Sequence, residues 1–300
     1  MSYDRIVVIG DLHGDFEIFI HSLRVFNLID NNNKWIGKNT YLIQMGDILD
    51  GKRPNVNISK SFLNSPGEWQ IIKLIIELDS QARISGGRVV SLLGNHDLYP
   101  HYFYNDKEFE KKYIKSVDSK YIKNTFGIER VKFYAPGKMG GKLFSRTRPL
   151  IIKINNILFI HGSITDSLIK SQKSTYIDID KINNEVANWL FTGRKIPSYL
   201  KKMDDNNPLF SRRYSAIKNI KSRDCNEIKK QLSRFQNIDH VVVGHSVYKN
   251  INTTCDSMII RTDVGLSRAF GGEIKDKKIE LLEIIIDKNE TKFNILSNNI

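Results

Sequence analysis

The sequence predicts an α/β fold, and three observations carry that reading. Ile6-Val7-Val8-Ile9 is a run of four β-branched residues that stops at Gly10, as a short buried strand would. Strand-type and helix-type segments then alternate as far as residue 93, at the spacing of parallel-pairing units. Several strand-type runs also end directly in Asp, Asn or His. Strand carboxyl ends in open α/β sheets lie along one edge, where ligands bind.

The elements follow in order. Asp15 to Asn27 reads as an amphipathic helix, with Phe16, Phe19, Ile20, Leu23 and Phe26 at helical spacing. The cluster Asn31-Asn32-Asn33 is a loop. Tyr41 to Gly46 is a second strand that runs into Asp47-Ile48-Leu49-Asp50-Gly51. Ser65-Pro66 opens a long helix, Ser as cap and Pro in its first position, and Gly86-Gly87 stops it. Val89 to Leu93 is the third strand, ending in Gly94-Asn95-His96-Asp97. From about residue 100 to 127 the chain is aromatic and lysine-rich, and we read it as a helical excursion over the active edge. Residues 150–154 and 157–160, joined at Asn155-Asn156, form a hairpin whose second strand ends in His161-Gly162-Ser163. Helical patterns span Ile182 to Phe191 and Asn219 to Phe235. A strand from His240 to Gly244 ends in His245-Ser246, and strands at Ser257 to Thr262 and Lys278 to Asp287 close the chain.

Bulk properties set limits on function. With 300 residues, 40% hydrophobic and 26% charged, the chain can bury a sizeable core. No internal repeat or linker divides it, so residues 1–300 read as one domain. Nothing resembles a signal peptide, and no apolar run approaches a membrane span, which excludes a membrane partner. Cys225 and Cys255 are too few for a disulfide framework and fit no zinc spacing. That usage points to a reducing, intracellular, cytoplasmic setting. The net charge of +13 would suit nucleic acid, but the basic residues are scattered, clustering no further than pairs such as Lys111-Lys112 and Lys201-Lys202. The simpler reading is a lysine-rich surface.

Five strand ends carry ligand-type residues: Asp11 with His13, then Asp47, Asn95, His161 and His245. Any one of them alone is more often a turn or a hydrogen-bonded structural residue. Five in one chain are hard to assign to turns. Six such side chains are crowded for one ion but suit two ions that share a bridging carboxylate and hold a phosphoryl group between them. The mixture of Asp, His and Asn favours Mn2+, Fe or Zn2+ over Mg2+.

Gly10-Asp11-Leu12-His13-Gly14, Gly46-Asp47-Ile48-Leu49-Asp50, Gly94-Asn95-His96-Asp97, His161-Gly162 and Gly244-His245 together resemble the calcineurin-like metallophosphoesterase superfamily. Within it the chain is most similar to the phosphoprotein phosphatase branch, in particular the bacterial-like (Shewanella-like) phosphatases. The stretch Thr262-Asp263-Val264-Gly265-Leu266-Ser267-Arg268-Ala269-Phe270 adds to that likeness. The resemblance implies an α/β sandwich of two mixed β-sheets flanked by helices, forming one catalytic domain. It implies two divalent metal ions, Mn2+ foremost, with Asp11, His13 and Asp47 holding the first and Asp47, Asn95, His161 and His245 the second. His96 would be the general acid, oriented by Asp50, in a direct in-line hydrolysis by metal-bound hydroxide.

Two departures stand out. The family's second motif continues Asp-Arg-Gly, its Arg gripping the phosphate, whereas here Asp50 is followed by Gly51-Lys52-Arg53. Arg53 could fold back into that role, with Lys52 a partial substitute lacking the bidentate fork. Arg212, in Pro208-Leu209-Phe210-Ser211-Arg212-Arg213-Tyr214, matches a second phosphate-gripping position. Asp97 stands where Ser/Thr-specific members commonly carry Glu. The resulting expectation is a phosphomonoesterase acting on phosphoprotein or another phosphate ester. The alternatives are a nucleotide or nucleic-acid phosphodiesterase on the same site, and a non-catalytic binding protein on this scaffold.

Overall fold

Strand runs that are apolar at every position have two faces to bury. The computed structural model satisfies them by stacking two five-stranded sheets. The structure describes residues 5–52, 56, 62, 67–103, 111, 128–216, 222–287 and 290–299. The first sheet contains β1 (Arg5–Ile9), β2 (Tyr41–Gln44), β3 (Arg88–Ser91), β9 (Lys278–Asp287) and β10 (Glu290–Asn299), in the order β10-β9-β1-β2-β3. The second contains β4 (Ile151–Ile154), β5 (Ile157–Ile160), β6 (His240–Val243), β7 (Asn252–Thr254) and β8 (Ile259–Arg261), in the order β4-β5-β6-β8-β7.

Alternate residues of each strand serve different layers. Ile6 and Val8 of β1, Ile43 of β2, Phe159 of β5, Val242 of β6 and Ile260 of β8 pack in one buried cluster between the sheets. Val7, Ile9, Leu42, Leu158, Ile160, Val241 and Val243 face the other way, into a core shared with the helices. This two-sided burial is why the sequence runs show no polar alternation. The strands that matter for the site are parallel: β1 to β2 and β2 to β3 in the first sheet, β5 to β6 and β6 to β8 in the second. Within each sheet their carboxyl ends therefore lie along one edge, and both edges carry ligand-type residues. Both sheets are mixed, since β9 and β10 in the first and β4 and β7 in the second pair antiparallel.

Eight helices of the described residues flank the sheets: α1 (Phe16–Val25), α2 (Glu68–Ile84), α3 (Asn95–Phe103), α4 (Ile128–Tyr134), α5 (Met139–Thr147), α6 (Asp166–Ser171), α7 (Ile179–Thr192) and α8 (Ser222–Leu232). Asp15 caps α1 by accepting from the Ile18 N–H at 3.3 Å. The expected opening of α2 at Ser65-Pro66 lies outside the described residues, and the described helix begins after Gly67. It ends as expected, with Gly86 at φ +80° and the Gly87 N–H donating to the Ala82 carbonyl at 2.9 Å. Of the excursion at 100–127, α3 accounts for residues 100–103 and most of the remainder lies outside the described residues. The sequence reading missed β7, β10, α4, α5 and α6, which are short or weakly apolar. No helix among the described residues is long and apolar enough to cross a membrane.

One expectation is corrected. Cys225, on α8, and Cys255, in the turn after β7, are joined in a disulfide with a Cα–Cα distance of 5.5 Å. The two lie 30 residues apart, and only the docking of α8 beside the β7–β8 hairpin brings them together. The inference of a reducing compartment from the small number of cysteines therefore loses its ground.

Candidate active site

The ligand-type residues leave the carboxyl edges of both sheets, several of them through sharp turns. His13, Asp47, Asp50 and His245 all have positive φ, at +40°, +54°, +69° and +71°. Non-glycine residues occupy that region at a cost, so neighbouring groups must hold them there. Asp97 provides much of that hold. Fully buried, its carboxylate accepts the backbone N–H groups of Asp47, Ile48, Leu49 and Gly94 at 2.9–3.2 Å and pairs with Arg148 at 3.0 Å. Gly94 is required at its position, because a Cβ there would overlap the Asp47 carboxylate. Gln44 joins the strand ends from below, donating to the Gly10 and Gly46 carbonyls and accepting from Ser91 Oγ.

The structure brings all six expected ligand residues together, all of them buried. They form two groups, Asp11–His13–Asp47 and Asp47–His161–His245, in each of which the ligand atoms lie within 4.8 Å of one another. Asp47 belongs to both. Asn95 joins the second group, its Oδ1 3.0 Å from His161 Nε2.

The hydrogen bonds behind the imidazoles fix which nitrogen faces inward. His13 Nδ1 donates to the Leu49 carbonyl at 2.9 Å, His161 Nδ1 to the Met45 carbonyl at 2.8 Å, and His245 Nε2 to the Phe210 carbonyl at 3.2 Å. A neutral imidazole has one N–H, so the other nitrogen of each ring presents a lone pair. His161 Nε2 consequently faces His245 Nδ1 at 3.1 Å and Asp47 Oδ2 at 3.5 Å with no proton between them. Burial pushes His161 down to about 4. Burial, with His161 and Arg212 nearby, holds His245 well below the usual histidine value. Converging lone pairs repel unless a cation lies among them, so this donor set fits a divalent metal.

Beside the ligands lies a dyad. His96, at the start of α3, donates its backbone N–H to Asp47 Oδ1 at 2.8 Å, and its Nδ1 pairs with Asp50 Oδ2 at 2.8 Å. Asp50 is fully buried and His96 is 8% exposed, enough for Nε2 to reach the cleft. Arg212 is exposed, and its Nη1 is anchored on the His245 carbonyl at 2.9 Å and Ser246 Oγ at 2.7 Å. Arg53 lies outside the described residues. Aromatic edges frame the cleft: Tyr99 meets the His96 ring at 4.6 Å, Phe210 meets Tyr99 at 5.5 Å, and Phe270 meets His13 at 5.2 Å. Arg268, from the closing motif, fastens that segment to α1 by gripping both oxygens of Asp15 at 2.6–2.9 Å.

Sequence reasoning missed the support beneath these groups. Asp97 was read only as a departure from a family pattern, although an acid at the start of a helix is a natural acceptor of backbone N–H groups. Glu68 and Arg130, which reach Asp50 from behind, carried no local signal at all.

Comparison with known proteins agrees with this geometry. The calcineurin-like phosphoesterase family model matches residues 4–249. Shewanella-like protein phosphatase 2 of Arabidopsis thaliana is 25% identical over 99% of this chain and 78% of its own length. Shewanella-like protein phosphatase 1 of Plasmodium berghei is 26% identical over 95% of this chain and 76% of its own. The crystal structure of a cold-active protein-tyrosine phosphatase from a psychrophilic Shewanella species superposes with a TM-score of 0.68 at 22% identity, covering 97% of this chain and 80% of that one, which shows a shared fold. Since the family match runs through every strand that ends in a ligand residue as far as His245, the chain belongs to the calcineurin-like phosphoesterase family and is a metallophosphoesterase, a hydrolase.

Proposed function

We propose that the protein is a phosphoprotein phosphatase, a dinuclear metal-dependent phosphomonoesterase in which residues 1–300 act as one catalytic domain. The observation that carries this reading is the shared carboxylate: Asp47 sits in both ligand groups, as a bridge between two ions would. Asp11, His13 and Asp47 would hold one ion, and Asp47, Asn95, His161 and His245 the other, with Mn2+ the first choice and Fe or Zn2+ suited to the same donors. When bound, the pair supplies Lewis-acid polarisation of the phosphoryl oxygens and of the attacking water.

The protein's own groups do the rest. The Asp50 carboxylate accepts from His96 Nδ1, which leaves Nε2 to carry the proton given to the departing alkoxide or phenoxide. Arg212 would grip the phosphate, its position set by the His245 carbonyl and Ser246. With Gly51 in place of the family's arginine, Arg53 is the remaining candidate for the opposite side. The aromatic edges of Tyr99, Phe210 and Phe270 favour an aryl phosphate, and so phosphotyrosine, over a small aliphatic ester. The names of the similar Shewanella-like phosphatases and of the protein-tyrosine phosphatase structure support a phosphoprotein substrate.

The test is hydrolysis of p-nitrophenyl phosphate and bis(p-nitrophenyl) phosphate after chelation and re-addition of Mn2+. Mn2+-dependent turnover of the monoester, followed by release of phosphate from phosphotyrosine peptides, is expected. Dominant diesterase activity would replace this reading with the phosphodiesterase one. Full metal loading without turnover of either ester would favour a binding protein.

A further inference from the structure

Asp50 is held by more than His96. Arg130, on α4, has a side chain with no exposed surface, and its Nη2 donates to Asp50 Oδ1 at 2.9 Å. The same guanidinium grips Glu68 of α2, Nε to Oε2 at 3.0 Å and Nη2 to Oε1 at 2.8 Å. Glu68 Oε1 also accepts the backbone N–H of Asp50 at 2.7 Å. The carboxylate that orients His96 is thus fixed on its far side by a buried cation, and its backbone by that cation's second partner.

We propose that Arg130 and Glu68 are positioning residues for the general acid, a clamp that keeps the Asp50 carboxylate aimed at His96 Nδ1. This inference rests on the phosphomonoesterase reading above. Three features support it. Asp50 has φ +69°, a left-handed backbone conformation that an aspartate tolerates, and Glu68 holds its N–H in place there. Two buried carboxylates, Asp50 and Glu68, meet here, and the Arg130 guanidinium binds them both. Arg130 is wholly enclosed, so it cannot serve as the phosphate-gripping arginine missing after Asp50; its work is done through Asp50. Without it, the Asp50 carboxylate would lose the partner that fixes its far side, and Nδ1–H of His96 would lose its fixed acceptor.

A purely structural role, pinning α4 to α2, would lower activity on all substrates alike. A clamp on the general acid predicts losses that grow as the leaving group becomes poorer. The experiment compares wild type, Arg130→Met and Arg130→Lys, each spanning residues 1–300 and loaded with Mn2+, on 2,4-dinitrophenyl, p-nitrophenyl and phenyl phosphate. For Arg130→Met we expect kcat on phenyl phosphate to fall about 10- to 100-fold, with a change of about threefold or less on the dinitrophenyl ester and little change in KM. Arg130→Lys keeps the buried charge but cannot span both carboxylates, so it should give an intermediate slope. Placed in an Asp50→Asn background, Arg130→Met should add no further leaving-group sensitivity.

A second readout needs no turnover. In the Zn2+-loaded protein the His96 Nδ1–H proton should resonate at a hydrogen-bonded position by NMR, and Arg130→Met should shift it or exchange it away. If the wild type hydrolyses no phosphomonoester, the proposed function fails while this signal still tests the clamp. A uniform loss across the three esters, with the His96 resonance unchanged in both variants, would overturn the inference.

Discussion

The metal side and the phosphate side of the cleft are built to different standards. The six candidate ligands are buried, five of the strand ends deliver them, and each histidine is locked by a backbone carbonyl. On the phosphate side, Gly51 stands where the family carries an arginine, and Arg212 is an exposed side chain held by the His245 carbonyl and one serine. On the proposed assignment, the contrast teaches that electrostatic stabilisation of phosphate would lean on the metal ions rather than on arginines. Loss of a ligand should therefore cost far more than loss of an arginine.

The largest effect is expected for Asp47→Asn. It should lower turnover beyond the roughly 10- to 100-fold that losing a supporting partner costs a metal site, and bound metal should fall with it. Kinetics paired with elemental analysis read both; retained activity with half the metal would show that the bridge is dispensable. Arg212→Ala should reduce kcat/KM for p-nitrophenyl phosphate by about 10- to 100-fold, the worth of charge-assisted hydrogen bonds to phosphate, with metal content unchanged. An equal loss of metal would move Arg212 from the phosphate side to the metal side of the comparison.

Two further predictions concern what holds the metal side rigid. Asp97→Ala leaves buried N–H groups and Arg148 without their acceptor, and should destabilise the fold by about 3–5 kcal/mol. Urea unfolding of the metal-free variant measures this, and an unchanged midpoint would mean the loops hold themselves. The smallest effect is a pH dependence. The unfolded chain protonates its histidines near the ordinary value of 6.5, whereas His161 in the metal-free fold resists protonation down to about 4. Stability of the chelated protein should be flat above pH 6.5 and fall as pH drops through that window. His161→Gln should flatten the slope, and a slope identical in wild type and variant would show that the imidazole is not held neutral.

How much of this was legible depended on how local the signal was. The candidate ligands were readable because each follows its strand within a few residues, and parallel strands carry a repeated local pattern to one edge of each sheet. Asp50 and His96 were readable for the same reason, each sitting a few residues past a ligand. The supports were not. Arg130 is 80 residues from Asp50, and Arg268 is 253 from Asp15, so their meeting is decided by tertiary packing that leaves no spacing to read. The Cys225–Cys255 pairing failed as a reading for that same reason. β10 escaped because it is an edge strand, paired with β9 alone and mostly exposed, so its sequence, Glu290 to Asn299, carries little apolar alternation.

The central claim is that Asp47 bridges two ions, and electron paramagnetic resonance of the protein titrated with Mn2+ after chelation addresses it most directly. Two equivalents per chain giving a spin-coupled signal, which collapses to that of an isolated ion in His13→Ala, is the predicted result. A single equivalent with an uncoupled six-line spectrum in the wild type would contradict it.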